Sequence, residues 1–367
     1  MSDRPLVVIT TRLPPATCGI GAYSALLREH WPHRAGAVEF LVVEDVANAT
    51  STPRSDRVSE FSGEAAKLTH QLDRIGAADV VLHYAGRAYQ RFGCPVWLPG
   101  VLAKWKQKFR GSRVMIVVHE LPGELPMTSR HFWLGQLDAW IVRRLSRIAD
   151  VLATNTQHHA ETLRRIARRT DVHLLPVGSN IAVAAELAGS RATTEFVLFG
   201  LPFGRLQTLQ RFDSDIRRWQ SSGRLTKLHI IGPDGDQFSR EADALISTWS
   251  ASLEVVRHGA LPSREVSAIL GQAGFALTNV TAATWSKSGA FMACAAHRCA
   301  VVVAAALSSE VPFCFAIAKD ELETIDAAEV DRRTAALARW YQENADWPVI
   351  AGRLASLWEN GGVARVG

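Results

Sequence analysis

Three short segments of the chain combine glycines, ionisable side chains and predicted helix starts in patterns that could bind or transform a ligand. In the first, Gly19 and Gly21 stand at the start of a predicted helix. Glycine lets the backbone approach a ligand closely, and the free N–H groups at a helix start attract an anion. A tight turn has the same pattern, so a structural interpretation stays open. The third glycine of a dinucleotide-binding sequence is missing, and the chain has no Walker A sequence.

The second segment is His119-Glu120, which follows the apolar run 114–118. A histidine or carboxylate at the end of a strand could bind a substrate hydroxyl or transfer a proton. The alternative for such a pair is a structural role. Pro122 and Gly123 interrupt what would otherwise begin a zinc-binding HExxH sequence, so the pair does not indicate a metalloprotease.

The third segment precedes a predicted helix in the C-terminal half. Ser286 is predicted to cap this helix, which the N–H groups of Ser288, Gly289 and Ala290 would then open. Lys287 adds a full positive charge beside those groups. The combination predicts a site for a phosphate or diphosphate.

Asp234 and Asp236 have the spacing of a metal-binding DxD pair. They directly follow the predicted strand 227–232 and flank Gly235, so the pattern favours a glycine-rich turn. We therefore expect no metal cofactor.

An alternating series of strands and helices must position these segments. Continuous apolar runs such as 7–9 and 114–118 are typical of a parallel sheet that is covered on both faces. Residues 45–60 are predicted to form a polar loop. The predicted strands are Leu6–Thr10, Val38–Val43, Asp79–His83, Arg113–His119, Val151–Asn155, Val172–Pro176, Glu195–Gly200, Lys227–Gly232, Leu253–His258, Phe275–Thr278, Ala300–Ala304 and Pro312–Ala316. Two such series predict an α/β protein with two doubly wound, Rossmann-like domains facing a cleft, with ligands at the carboxyl ends of the strands.

Composition excludes several other classes. The 367 residues are 47% apolar and 21% charged, which is typical of a globular protein and not of a disordered or collagen-like one. The five cysteines are irregularly spaced and indicate neither a disulfide framework nor a zinc site. The N-terminus lacks a signal-peptide pattern, so we expect a cytoplasmic protein.

The net charge of +5 is unevenly distributed. Residues 1–190 contain 23 Lys and Arg against 17 Asp and Glu, a net +6, whereas residues 191–367 contain 18 against 19, a net −1. The excess indicates either an anionic partner or a solvated basic face. Nucleic acid is not expected, because the chain has no zinc finger, RNP pattern or arginine-rich arm.

The segment 97–110 could provide such a contact with an anionic membrane. It predicts a helix with Val101, Leu102, Trp105 and Phe109 on one face and basic residues elsewhere, as in helices that lie at a membrane surface. The alternative is an ordinary helix packed on a sheet. The expected location is therefore the cytoplasm, with peripheral contact at the inner membrane face.

Together these segments resemble the GT-B glycosyltransferases, in particular retaining family 4, over nearly the whole chain. The family's glycine-rich loop after the first strand matches Gly19-Ile20-Gly21, and its histidine beside the donor sugar matches His119. Residues 176–180 resemble the crossover between the two domains. Arg205 is the best match for the basic residue that contacts the donor phosphates.

The resemblance implies a division of the chain into domains. It implies an acceptor-side domain at 1–182, a nucleotide-sugar-binding domain at 190–343 and a C-terminal helix within 344–367 that packs back on the first domain. The sequence departs from the family at one motif. The family usually carries two glutamates eight positions apart. Trp285 and Ala293 stand in their places and cannot accept hydrogen bonds from a donor.

The resemblance implies a metal-independent glycosyltransferase of carbohydrate biosynthesis that retains the anomeric configuration and needs no cofactor. Its partners would be a nucleotide-diphosphate sugar and a sugar, glycan or lipid-linked acceptor. His119 and Glu120 would act in catalysis. The residues that would bind the donor are Gly19, Gly21, Arg205, Lys287, Ser288, Gly289 and Ala290. The alternatives are a GT-B-shaped binding or scaffold protein without catalysis, and a nucleotide-sugar epimerase.

Overall fold

The chain divides into two units. A computed structural model describes residues 4–14, 16, 18–32, 38–43, 56–90, 92–121, 130–184, 191–249 and 252–361. Met1–Pro176 and Trp347–Gly367 form the first unit, here called the N-unit, and Val177–Asp346 form the C-unit. The last segment of the chain therefore belongs to the same unit as the first.

The N-unit is built on a parallel sheet. Its strands are β1 (Leu6–Thr10), β2 (Val38–Val42), β3 (Arg57–Glu60), β4 (Asp79–Tyr84), β5 (Arg113–Val118), β6 (Val151–Thr154) and β7 (Val172–Leu174). Its helices are α1 (Gly19–Glu29), α2 (Ala65–Ile75), α3 (Gly86–Tyr89), α4 (Leu98–Lys108), α5 (Arg130–Ile148), α6 (Gln157–Ala167) and α12 (Trp347–Gly361). The strand order is β3-β2-β1-β4-β5-β6-β7, so the order reverses between β1 and β4.

Apolar side chains on both faces of this sheet explain why helices cover it. Every residue of β1 and β4 is buried. Leu72 of α2, Leu102 of α4 and Ile141 of α5 join the strand residues in one buried cluster. Helix α12 packs against α1 and β6, and Trp358 of α12 meets Trp31 edge-on.

The C-unit repeats this architecture. Its strands are β8 (Ala192–Phe199), β9 (Lys227–Ile231), β10 (Glu254–Gly259), β11 (Ala273–Thr278), β12 (Ala300–Val303) and β13 (Ile317–Ala318). Its helices are α7 (Pro202–Ser221), α8 (Asp236–Ile246), α9 (Ser263–Gln272), α10 (Gly289–Ala296) and α11 (Ala327–Asn344), with short 3₁₀ helices at Trp285–Lys287 and Phe313–Phe315. The order β10-β9-β8-β11-β12-β13 reverses between β8 and β11.

These reversals matter because ligands of open α/β sheets bind at the carboxyl ends of the strands where the order switches. The helix after β1 and the helix after β8 each begin at such a point. The structure confirms the predicted fold class, with two parallel α/β units.

Two predicted elements were wrong. Residues 57–60, assigned to the polar loop 45–60, form the edge strand β3, whose largely exposed Arg-Val-Ser-Glu sequence carries little apolar signal. Most of that loop lies outside the described residues. The strand predicted at Pro312–Ala316 is instead a 3₁₀ helix followed by the two-residue strand β13.

Helix α4 does not offer the exposed apolar face that membrane contact would need. Val101, Leu102 and Trp105 are buried in the N-unit core, and the Trp105 indole donates to the Gly76 carbonyl at 3.1 Å. The alternative of a helix packed on the sheet is therefore the one observed, and Lys106 pairs with Asp150 of the same unit. Among the helices that the structure describes, none has the length and apolarity to cross a bilayer.

Candidate functional site

The two glycines after β1 have different structural roles. A Cβ atom on Gly21 would lie 1.5 Å from the backbone oxygen of Arg12, so only glycine allows this close packing of α1. Gly19 is exposed, and nothing lies within 4 Å of a Cβ built there. The N-cap residue Cys18 makes no side-chain capping bond. The start of α1 therefore presents open backbone at Gly19, while packing accounts for Gly21.

His119 lies directly after β5 in a buried aromatic cluster. Its backbone N–H donates to the Tyr84 carbonyl at 2.8 Å, and its Nε2 lies 3.0 Å from Nδ1 of His83. Tyr23 of α1 meets both imidazole rings edge-on, with centroids 5.2 Å apart. Through Tyr23, the structure brings the helix after β1 and the predicted histidine together.

Burial keeps this histidine pair neutral. It lowers the pKa of His119 to about 4, and His159 lowers it further by charge repulsion. Burial also holds the pKa of His83 well below its usual value, with repulsion from His119 in addition. One ring must then donate to the other, which fixes the tautomers relative to each other.

The Nε2 atom of His83 is buried and has no hydrogen-bond partner among the described residues. His83 and Tyr23 were missed by the sequence analysis. His83 is a polar residue directly after the apolar run 80–82 of strand β4, and that position was the available signal.

Glu120 is exposed next to His119. A second carboxyl group, Asp138 of α5, accepts a hydrogen bond from the Tyr84 hydroxyl at 2.5 Å. Burial raises the pKa of Asp138 to about 6, and Glu120 raises it further by repulsion. Asp138 also escaped the sequence analysis, because one aspartate inside an amphipathic helix carries no distinguishing pattern.

Arg205 lies in the first turn of α7 and is only 1% exposed. Its Nη2 donates to the Pro233 carbonyl and lies 3.3 Å from a carboxylate oxygen of Asp234. The guanidinium lies over the ring of Phe238, 4.1 Å from its centroid. Its Nε and Nη1 atoms are buried with no hydrogen-bond partner in the described part of the chain.

Two donor atoms without partners on a buried cation lower the stability of the fold, because each unsatisfied buried donor costs about 1–3 kcal/mol of folding free energy and more when it is charged. The surrounding backbone is tightly fitted. A Cβ atom on Gly232 would lie 2.1 Å from the Gly200 oxygen and 3.2 Å from Nε of Arg205. An anion within reach of these two nitrogens would satisfy them with charge-assisted hydrogen bonds.

The predicted cap before α10 is displaced by two residues. Ser288 is the N-cap, and its hydroxyl accepts from the Phe291 N–H at 3.2 Å. Ser286 is buried inside the preceding 3₁₀ helix. The N–H of Ser288 donates to the Trp285 carbonyl at 3.0 Å and closes this turn, so α10 begins only after it. The donors left at this helix start are the N–H groups of Gly289 and Ala290.

Lys287 is exposed immediately before this helix start and has no ion-pair partner among the described residues. Trp285 and Ala293 are both buried in the core of the C-unit. Trp285 meets Trp340 edge-on, with centroids 5.2 Å apart. Both side chains therefore serve packing.

The predicted donor-binding residues of the C-unit follow two neighbouring strands of its sheet. Arg205 follows β8 and Lys287 precedes α10, and the strands β8 and β11 that lead to them are neighbours. A hydrogen bond of 2.9 Å from Asn279 to Gln207 joins the two connections. Asp234, considered above as a metal ligand, instead pairs with Arg205 and Arg257.

No family model matches the chain, and no curated protein matches it. Solved structures do match it over nearly their full lengths. The UDP-forming α,α-trehalose-phosphate synthase of Burkholderia xenovorans is 12% identical with a TM-score of 0.63, covering 98% of this chain and 100% of that one. A glycosyltransferase from Rickettsia africae is 8% identical with a TM-score of 0.66, covering 99% and 100%.

The catalytic domain of starch synthase IV from Arabidopsis thaliana, solved with ADP and acarbose, is 9% identical with a TM-score of 0.59, covering 98% and 99%. At such low identity the likeness establishes the fold. The chain has the two-domain, Rossmann-like fold of GT-B glycosyltransferases.

Proposed function

We propose that this protein transfers a sugar from a nucleotide-diphosphate sugar to an acceptor. The observation that carries the proposal is the buried Arg205 guanidinium at the switch point of the C-unit sheet, which has two donor atoms without a partner among the described residues. Lys287 and the amides of Gly289 and Ala290 lie on the connection and the helix that follow the adjacent strand β11. Diphosphate is the ligand class that this set of donors fits.

In this proposal the C-unit stabilises the leaving group. As the bond between the sugar and the diphosphate breaks, negative charge grows on the diphosphate oxygens. Fixed donors aimed at that charge lower the barrier because they need no reorganisation when the reaction occurs. Arg205 would bind one phosphate through Nε and Nη1, while Lys287 would neutralise charge from the solvent side.

The N-unit would handle the sugar and the acceptor. Neutral His119, held by His83 and Tyr23, would orient a sugar hydroxyl as hydrogen-bond donor or acceptor. Exposed Glu120 would accept a proton from the attacking hydroxyl. The open backbone at Gly19 would admit an anionic group. Ser288 would act indirectly, by holding the start of α10 in place.

The resemblance to family 4 adds finer proposals. The anomeric configuration would be retained, no metal would be required, and the acceptor would be a sugar, glycan or lipid-linked sugar in the cytoplasm. NMR of the first-formed product would reveal inversion, and activity that disappears in EDTA and returns with a divalent cation would contradict metal independence.

The test of the reaction is a comparison of two lysine variants. Release of nucleoside diphosphate would be followed for UDP-, GDP-, ADP- and dTDP-sugars with a panel of sugar, sugar-phosphate and glycan acceptors. We expect Lys287→Ala to lower kcat/KM at least tenfold, or about 1.4 kcal/mol, because it removes charge stabilisation from the leaving group. Lys104→Ala, which removes an exposed lysine of α4, should leave the rate unchanged.

Equal rates for the wild type and Lys287→Ala would refute the role of Lys287. The burial of Trp285 and Ala293 favours one other function, a binding protein without catalysis. That function predicts nucleotide binding with no release of product from any donor. Conversion of the donor sugar in the absence of an acceptor would instead identify an epimerase.

A further inference from the structure

Helix α5 exposes an unusual row of large apolar side chains. Trp133 is 63% exposed, Leu137 37% and Trp140 45%. These residues are spaced at i, i+4 and i+7, so they lie along one stripe of the helix. Ile141 and Leu145, on other faces of α5, are buried in the N-unit core. The core therefore holds one side of α5, and the stripe faces outwards.

The same stripe continues with positive charge. Arg144 and Arg147 follow at i+11 and i+14 and are both exposed. The Arg144 guanidinium lies over the Trp140 ring, 5.2 Å from its centroid. Residues 133–147 span roughly 21 Å of helix at about 1.5 Å per residue. The stripe is thus apolar at its N-terminal end and cationic at its C-terminal end.

The neighbouring surface reinforces this charge. Helix α5 contains four arginines against one acidic residue, Asp138, and the Tyr84 hydroxyl donates to that carboxylate. Helix α6 packs on α5. Arg169, which follows α6, donates to the Ser146 and Ala149 carbonyls at the end of α5. Exposed Arg165 and Arg168 then extend the positive surface.

We propose that the α5 stripe, defined as Trp133, Leu137, Trp140, Arg144 and Arg147, binds the surface of an anionic lipid bilayer. Tryptophan favours the boundary between headgroups and acyl chains, and arginine pairs with lipid phosphates. A helix ridge needs no complementary pocket on a bilayer, which adapts to its shape. The sequence predicted membrane contact at α4, and we assign that contact to the α5 stripe instead. This assignment does not depend on the proposed sugar transfer.

The test is sedimentation of the full-length protein with sucrose-loaded vesicles. Vesicles of phosphatidylcholine alone would be compared with vesicles containing 30% phosphatidylglycerol, at about 50 mM and 500 mM salt. We expect binding to the anionic vesicles at low salt and loss of binding at high salt, because the charge attraction is screened. Binding requires no donor or acceptor, so this result is independent of the enzymatic assay.

Two double variants separate the contributions of ring and charge. Trp133→Ala with Trp140→Ala should weaken binding to anionic vesicles at least tenfold. The double variant Arg144→Gln/Arg147→Gln should weaken vesicle binding by roughly 25-fold at low salt, since each lost charge should lower the affinity about fivefold. The matched controls are Phe203→Ala and Arg211→Gln, which alter exposed residues of the C-unit. Thermal unfolding should be unchanged in all four proteins.

Absence of wild-type binding to anionic vesicles at low salt would overturn the proposal. Binding that survives loss of both tryptophans would overturn it as well, because the apolar part of the stripe would then have no role. A dimer in analytical ultracentrifugation that becomes a monomer in the tryptophan variant would assign the stripe to a second copy of the chain and contradict membrane binding.

Discussion

The two units share a sheet topology but place opposite kinds of groups at their switch points. In the N-unit, two buried neutral imidazoles bond to each other: His83 bonds to His119, and Tyr23 packs on both. In the C-unit, a buried cation has two donor atoms without a partner in the described part of the chain, and an exposed lysine stands beside a helix start. The same architecture thus holds a neutral histidine pair in one unit and, in the other, the buried arginine that we propose as an anion ligand.

The comparison also shows that net charge does not locate a candidate anion site. The basic half of the chain is the N-terminal one, with a net +6, yet Arg205, whose Nε and Nη1 atoms are buried without partners among the described residues, lies in the half with a net −1. Much of the N-unit's charge lies on helix surfaces such as those of α5 and α6. An anion site depends on a few donors held without partners, and total charge does not locate it.

The largest expected effect tests the neutrality of the N-unit histidines. Because the folded state holds His119 with a pKa of about 4, it binds fewer protons than the unfolded chain between pH 6.5 and 4. This contribution to stability is therefore complete above pH 6.5 and is lost as the pH falls. By pH 4 the loss is about 3 kcal/mol.

Urea unfolding from pH 7 to pH 4 measures this loss, and His119→Gln should remove most of it. Replacement of exposed His158 by Gln is the control and should leave the pH dependence of the wild type. A His119→Gln protein with the full wild-type acid sensitivity would show that His119 is not held neutral.

The second effect concerns Arg205. Arg205→Gln should weaken nucleotide binding about 100-fold, or about 2.7 kcal/mol, because hydrogen bonds to a charged group contribute about 1.5–3 kcal/mol each. Arg205→Lys keeps the charge but loses the planar fork and should cost about tenfold. Calorimetric titration of both variants measures the affinities, with circular dichroism as a check on folding. A folded Arg205→Gln protein with wild-type affinity would exclude Arg205 from the site.

The smallest effect separates the two glycines after β1. Gly21→Ala should destabilise the N-unit by about 2 kcal/mol, because its Cβ would overlap the Arg12 oxygen. Gly19→Ala meets open space and should change the free energy of unfolding by less than about 0.5 kcal/mol. Denaturant unfolding of the two variants makes the comparison, and equal destabilisation would contradict the packing explanation.

Sequence patterns predicted the fold well where burial dominates. β1 has the predicted bounds because its first four residues are continuously apolar and all five are buried. β3 was missed because backbone hydrogen bonds pair it with β2, and its polar side chains give no apolar pattern from which a strand could be predicted. At the site, the resemblance to GT-B proteins pointed to Arg205, and a positive charge beside a predicted helix start pointed to Lys287; both roles remain predictions. The partners of a side chain depend on tertiary packing, so the sequence could not show that Nε and Nη1 of Arg205 lack them.

The central claim is that the C-unit switch point binds the diphosphate of a nucleotide sugar. The most direct measurement is calorimetric titration of the wild-type protein with UDP, GDP, ADP, CDP and dTDP, with Lys287→Ala in parallel. We predict saturable binding of one nucleotide, weakened at least tenfold in Lys287→Ala. No binding across the panel, or binding that is equal in the two proteins, would contradict the claim.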